Sequence, residues 1–175
     1  MSEPTEPQTD QPASPAQAEG GTRERVFLVV VDETEEMKTA LHFACRRAWR
    51  TGGRVALLYV IEPAEFQHWI GVERVMQDEA RQQAEQTLQA LATKVHGITG
   101  KMPVLYIREG RQRDELLKLI EEEPGISLLV LGMAAGREGP GPLVTYLVSQ
   151  MGGELRLPIT LVPGRLGEDE IDTVS

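Results

Sequence analysis

The chain has 175 residues, of which 41% are hydrophobic and 26% charged, with a formal net charge of -9 at pH 7. This length suits one domain with a sizeable core, and the negative charge disfavours nucleic acid and anionic membranes as partners. No apolar run approaches the roughly 20 residues of a membrane helix, and the start of the chain lacks the pattern of a signal peptide. Cys45, the single cysteine, can form no internal disulfide. We therefore expect a cytoplasmic protein.

The two ends of the chain differ in composition from the middle. Residues 1–22 contain four prolines and no large apolar residue after Met1, which predicts a disordered, acidic tail. Residues 167–175 are short and acidic, and we expect them to be flexible. The folded domain is expected to span residues 23–166.

Five short apolar runs predict the strands. They lie at residues 25–31, 54–61, 102–108, 126–132 and 157–163. Helical patterns fill the four connections between them. The first helix has Asp32 or Thr34 as its cap and ends at Gly52, and its "CRRAWR" segment is expected to face solvent. The second helix is expected to bury a stripe that begins at Met76.

This alternation predicts one α/β domain: a doubly wound, mainly parallel five-stranded sheet with helices on both faces. Ligands of such sheets bind beyond the carboxyl ends of the strands, where the winding direction reverses. Asp32 follows the first strand and Gly132 ends the fourth. If those strands are neighbours, both residues face one crevice.

The glycine-rich segment 131–146, "LGMAAGREGPGPLVTY", is the main candidate for a phosphate site. It fails the P-loop pattern because Pro142 and Leu143 occupy the lysine and hydroxyl positions. It fails the dinucleotide pattern because Val144 replaces the third glycine. Two interpretations remain: a loop whose backbone N–H groups face an anion at a helix start, or a tight strand-to-helix turn.

The segments "VFLVVVDETEEMKTAL", "VALLYVIEP", "ELLKLIEEEPGISLLVLGM" and "LPITLVP" resemble the universal stress protein family over residues 26–163. The resemblance implies a sheet of order 3-2-1-4-5. It also implies a dimer, and a fold in which some members bind ATP and others do not.

Members that bind ATP have an Asp after the first strand and a motif of Gly, two residues, Gly, nine residues and Gly-Ser or Gly-Thr. In this chain Asp32 matches the acid, and Gly132 matches the first glycine of the motif. The second glycine position falls on Ala135, and the final pair falls on Thr145-Tyr146. Thr34 is expected to lie beside the nucleotide. The changed positions, together with extra carboxylates after Asp32, imply weak or absent ATP binding and no cofactor. The alternative is a rearranged cradle for ATP or another adenine nucleotide with Mg²⁺, which uses the glycines Gly132, Gly136, Gly139 and Gly141.

Several residues have two interpretations. Asp32 holds a ribose or caps the first helix, and Tyr146 packs in the core, plugs the pocket or stacks on a base. Cys45 is expected in the core. The three histidines, His42, His68 and His96, show no metal-ligand spacing, so no metal site is predicted. Trp69 is expected to pack against the sheet with Phe66, Ile70 and Val72.

The last strand is expected to form a homodimer contact because it lies at a sheet edge, as the family resemblance implies. Its dimer residues are Ile159, Thr160, Leu161 and Val162. No catalytic constellation is present. The sequence thus predicts a non-enzymatic, homodimeric stress-response module that binds or contacts other proteins. The alternative function is an adenine-nucleotide switch, and a third possibility is that the "EGPGPL" loop and the tail dock a protein partner.

Overall fold

The computed structural model describes residues 24–63, 70–134, 139–150 and 155–175, with the side chains of residues 70–73 left aside. The elements follow one another as β1 (Val26–Val31), α1 (Glu35–Thr51), β2 (Arg54–Ile61), α2 (Ile70–Thr99), β3 (Val104–Glu109), α3 (Gln112–Glu122), β4 (Ile126–Met133), α4 (Pro142–Gln150), β5 (Ile159–Pro163) and α5 (Glu168–Val174). The strands pair in parallel in the order β3-β2-β1-β4-β5. The predicted doubly wound sheet of order 3-2-1-4-5 is confirmed. The winding direction reverses between β1 and β4.

Alternate residues of the central strand supply the two halves of the core. Phe27, Val29 and Val31 face the layer of α1 and α2, whereas Leu28 and Val30 face α3 and α4. β1 reads as a continuous apolar run because helices cover both of its faces. The sheet is therefore rigid, and functional groups lie at its edges and in its connections.

Helix α2 is longer than the sheet needs. The buried residues of its core face, where the structure describes side chains, begin only at Ala84 and continue through Leu88, Ala92 and Val95. Met76, which we expected on the buried stripe, is 40% exposed. That expectation was wrong: residues 74–79 of α2 are all exposed, and Gln77 and Arg81 contact Glu109, at the end of β3, through side-chain hydrogen bonds. No helix in the described residues is long and apolar enough to span a membrane.

The end of the chain differs from the flexible segment that we expected at residues 167–175. Residues Glu168–Val174 form α5, which packs against α1 and buries Ile171 to 1% exposure. A carboxylate oxygen of Asp172 lies 2.7 Å from Nε of Arg46 and 3.2 Å from Nε2 of His42. Arg50 donates to the main-chain oxygens of Asp172 and Ser175. In addition to facing solvent, the "CRRAWR" segment therefore binds α5 through Arg46 and Arg50.

Cys45 is fully buried on the core face of α1. Burial raises the pKa of its thiol to about 12 because the thiolate has no water around it, and nearby Lys94 offsets only part of this effect. The thiol is therefore an inert core group, as the sequence predicts.

Candidate functional site

The turn after β1 holds Asp32 through bonds to its own neighbours. Its carboxylate accepts hydrogen bonds from the Thr34 amide (2.8 Å) and from the Thr34 hydroxyl (2.6 Å). Thr34 is in turn the N-cap of α1, since its hydroxyl accepts from the Met37 amide at 3.1 Å. The Asp32 side chain, which we assigned either to a ribose or to the helix cap, thus holds the capping residue Thr34 in place. Both residues are exposed at the carboxyl edge of the sheet.

Gly132 stands at the end of β4, beside this turn, and it faces α1. A Cβ built on Gly132 would lie 2.2 Å from the main-chain oxygen of Glu36 and 2.4 Å from its carbonyl carbon. Gly164, in the turn after β5, has the same neighbour, since a Cβ there would lie 2.5 Å from Cγ of Glu36. The first turn of α1 therefore fits against both strand ends and requires glycine at both places. The space in front of the Gly132 α-carbon is occupied by Glu36.

The segment that leads into α4 offers one donor fewer to an anion than an ordinary helix start. Gly139 and Gly141 adopt φ values of 90° and 92°, which favour glycine and reverse the chain before the helix. Pro142, the first residue of α4, has no N–H group, and the Thr145 amide donates to the Gly141 carbonyl at 3.0 Å. The Thr145 bond is the first regular bond of the helix, so Pro142 alone removes one of the four N–H groups that a helix start normally presents. Ala135 and Gly136 lie outside the described residues.

Tyr146 belongs to the opposite layer of the domain from α1. Its ring packs against the core cluster of α3 and α4, and the Arg113 guanidinium lies 5.2 Å from the ring centroid. Of the three roles that we considered, this arrangement matches core packing with a cation–π contact. Thr145 is exposed on the same helix. The sequence pattern gave no signal for Arg113, because α3 and α4 are far apart along the chain.

The charges at this edge are mainly negative. Glu35 and Glu36 occupy the first turn of α1, and Lys38 pairs with Glu35 at 2.6 Å. No group of three or more potential metal ligands occurs within the described residues. Carboxylates at a helix start stabilise the helix by interacting with the positive end of its dipole, but they repel a phosphate at the same place.

Strand β5 lies at one end of the sheet order. Of the four residues that we assigned to a dimer contact, Val162 is buried, whereas Ile159, Thr160 and Leu161 are half-buried. The dimer stays a prediction.

These features define a class of protein: a doubly wound parallel α/β domain whose switch point, between β1 and β4, lies beside the Asp32 turn and Gly132. The model of the universal stress protein family matches residues 24–145. The chain belongs to the universal stress protein family.

Solved structures with the same fold share little sequence with the chain. A universal stress protein from Lactobacillus plantarum is 19% identical, with 80% of this chain and 98% of that chain covered and a TM-score of 0.67. A family protein from Arabidopsis thaliana, with AMP bound, is 15% identical, with 83% and 94% covered and a TM-score of 0.54. A universal stress protein in complex with cAMP is 13% identical, with 81% and 98% covered and a TM-score of 0.55. No curated protein matches the sequence significantly.

Proposed function

We propose that this chain is a stress-response module that acts by contacting proteins, as a homodimer through β5, and that its crevice binds adenine nucleotides weakly or not at all. One observation carries the proposal: the first turn of α1 occupies the space in front of Gly132, with its main-chain oxygen 2.2 Å from where a Cβ would lie. The motif glycine thus serves helix packing. On the Cβ side of Gly132, the first turn of α1 leaves no space for a phosphate.

Two further features support weak nucleotide binding. The start of α4 has one anion donor fewer than usual, because Pro142 has no N–H group. The carboxylates of Glu35 and Glu36 add repulsion, since two unit charges 4 Å apart interact by about 1 kcal/mol in water and about 4 kcal/mol near a protein surface. We therefore expect a dissociation constant for ATP in the millimolar range.

The second candidate is an adenine-nucleotide switch. It is favoured by the AMP and cAMP complexes of the two family structures described above. Such a switch in this chain would rest on the glycines Gly132, Gly136, Gly139 and Gly141, with Asp32 turned away from Thr34 toward the sugar.

Isothermal titration of the purified protein with ATP, AMP and cAMP, each with and without Mg²⁺, distinguishes the two functions. The module predicts no saturable heat below about 1 mM, which corresponds to a binding free energy no more favourable than about −4 kcal/mol. The Glu35→Gln and Glu36→Gln double variant, with its smaller negative charge, should bind any nucleotide more tightly than the wild type. Low-micromolar binding to the wild type, abolished by Asp32→Ala, would contradict the module and establish the switch.

The dimer has its own measurement. Sedimentation equilibrium at tens of micromolar should give twice the monomer mass. The Pro158 carbonyl and the Gly164 amide face β4, so by alternation the Leu161 N–H faces the free edge, and Leu161→Pro should give a monomer because it removes that donor. Val148→Ala, at an exposed position on α4, is the matched control. A monomer in the wild type would rule out the β5 contact.

A further inference from the structure

Charge is separated along the layer of α1 and α2. Glu35 and Glu36 begin α1, whereas residues 39–51 contain no acid and include Arg46, Arg47 and Arg50. In α2 the last acid is Glu85, and Lys94 and His96 follow it. Because both helices run antiparallel to the strands, their basic ends lie at the amino edge of the sheet. We call the group Arg46, Trp49, Arg50 and Lys94 the basal surface.

Trp49 is the exposed aromatic residue of the basal surface. It is 56% exposed, and the Arg46 guanidinium lies 5.1 Å from its ring centroid. Val174 of the adjoining α5 is 61% exposed. Arg50 is exposed and donates to the main-chain oxygens of Asp172 and Ser175. A tryptophan between two arginines combines the residue types that dominate binding hot spots.

The chain enters the domain next to this surface. Nζ of Lys101 lies 2.7 Å from Glu24 and also 2.7 Å from the Gly52 carbonyl, and the Arg54 amide donates to the Arg25 carbonyl. The start of β1 therefore touches the end of α1. Trp49 stands three residues before Gly52, about 5 Å along the helix axis at a rise of 1.5 Å per residue. Glu24, to which the preceding segment is attached, therefore lies only a few residue lengths from Trp49.

The preceding segment has the complementary chemistry. Residues 1–22 contain four acids and no lysine or arginine, and four prolines are spaced among them. Extended proline-rich chain spans about 3.1 Å per residue, so 22 residues exceed the distance many times over. Attachment to the same chain also raises the effective concentration to about the millimolar range, so weak contacts suffice.

We propose that residues 1–22 fold back onto the basal surface, with tail carboxylates against Arg50 and Lys94 and proline rings against Trp49. Proline-rich segments bind aromatic surfaces in this way because their extended conformation costs little entropy on binding. The tail then covers an arginine and tryptophan surface that is otherwise open to other proteins. This inference concerns the opposite edge of the sheet from the nucleotide crevice and does not depend on the proposed function.

Paramagnetic relaxation tests the contact in the full-length chain. A nitroxide is attached to Ser14→Cys, and buried Cys45 does not compete for the label. We expect amide signals of residues 46–51 and 94–101 to lose more than half of their intensity, while those of α3 on the opposite face keep theirs. Sodium chloride at 0.5 M should restore the lost intensity, since it shortens the Debye length to about 4 Å.

Substitutions separate charge from aromatic contact. Neutralising the tail with Glu3→Gln, Glu6→Gln, Asp10→Asn and Glu19→Gln should reduce the broadening at least threefold. Trp49→Ala should do the same, whereas Val148→Ala should have no effect. Broadening that is absent or uniform over the surface overturns the proposal. So does broadening that appears only in a mixture of isotope-labelled and spin-labelled molecules, which would mean contact between two copies.

Discussion

Replacing Gly132 with alanine separates a packing role from a phosphate role for this glycine. The added Cβ would lie 2.2 Å from the Glu36 oxygen and 2.7 Å from the Glu36 Cβ. The first clash is with main chain and cannot be relieved by a rotamer change, so the first turn of α1 must move. Forcing an extra carbon into a packed contact costs about 1–3 kcal/mol. For a chain of this size that lowers Tm by about 2–4 °C per kcal/mol, so we expect a decrease of about 2–12 °C.

Thermal and urea unfolding followed by circular dichroism measure this change. Gly125→Ala is the matched control, because a Cβ at Gly125 meets nothing within 4 Å and no positive φ constrains the residue. It should leave Tm within about 2 °C of the wild type. If Gly132→Ala is as stable as Gly125→Ala, the close approach of α1 is refuted and the packing argument against a phosphate site falls with it.

Three further predictions concern α1 and its contacts. Thr34→Ala should lower the free energy of unfolding in urea by about 1 kcal/mol because it removes the cap of α1. The control Thr93→Ala, in an exposed helix interior, should change the free energy of unfolding by less than about 0.5 kcal/mol. Equal losses would contradict the capping role. Asp172→Asn should weaken the contacts of α5 with Arg46 and His42 and speed amide exchange in α5 about fivefold, as expected for about 1 kcal/mol, and unchanged exchange would mean that Ile171 alone holds the helix. The Cys45 thiol, with its pKa raised to about 12, should not react with a disulfide reagent at pH 8 until urea unfolds the chain, and rapid labelling of the native protein would contradict its burial.

The strands and the sheet order could be predicted from the sequence, because a buried parallel sheet imposes continuous β-branched runs and the family resemblance supplied the order. β2 was predicted at its observed bounds. The others differ by one or two residues, since strand ends are set by tertiary pairing. Helix α5 could not be predicted in this way. Its segment is acidic and has one large apolar residue that becomes buried, Ile171, and its stability comes from Arg46 and Arg50 on a distant part of the chain.

The site was harder to predict than the fold. Motif positions singled out Gly132 as a candidate nucleotide-binding glycine, but they did not show that Glu36 lies against it, because that contact exists only in the folded chain. Tyr146 was placed beside the phosphates by counting along the motif, whereas the helix turns it toward α3 and Arg113. A linear motif specifies spacing and leaves open which face of a helix a residue occupies.

The charge separation in α1 links its stability to both proposals. Glu35 and Glu36 favour the positive end of the helix dipole, and Arg50 favours the negative end, so each group stabilises the helix where it lies. The same placement makes the carboxyl edge unfavourable for phosphates, and at the amino edge it favours acidic segments. Reversing the sign at one end should therefore affect one function only. Glu36→Lys should raise nucleotide affinity without altering the tail contact, whereas Arg50→Glu should release the tail without altering nucleotide affinity.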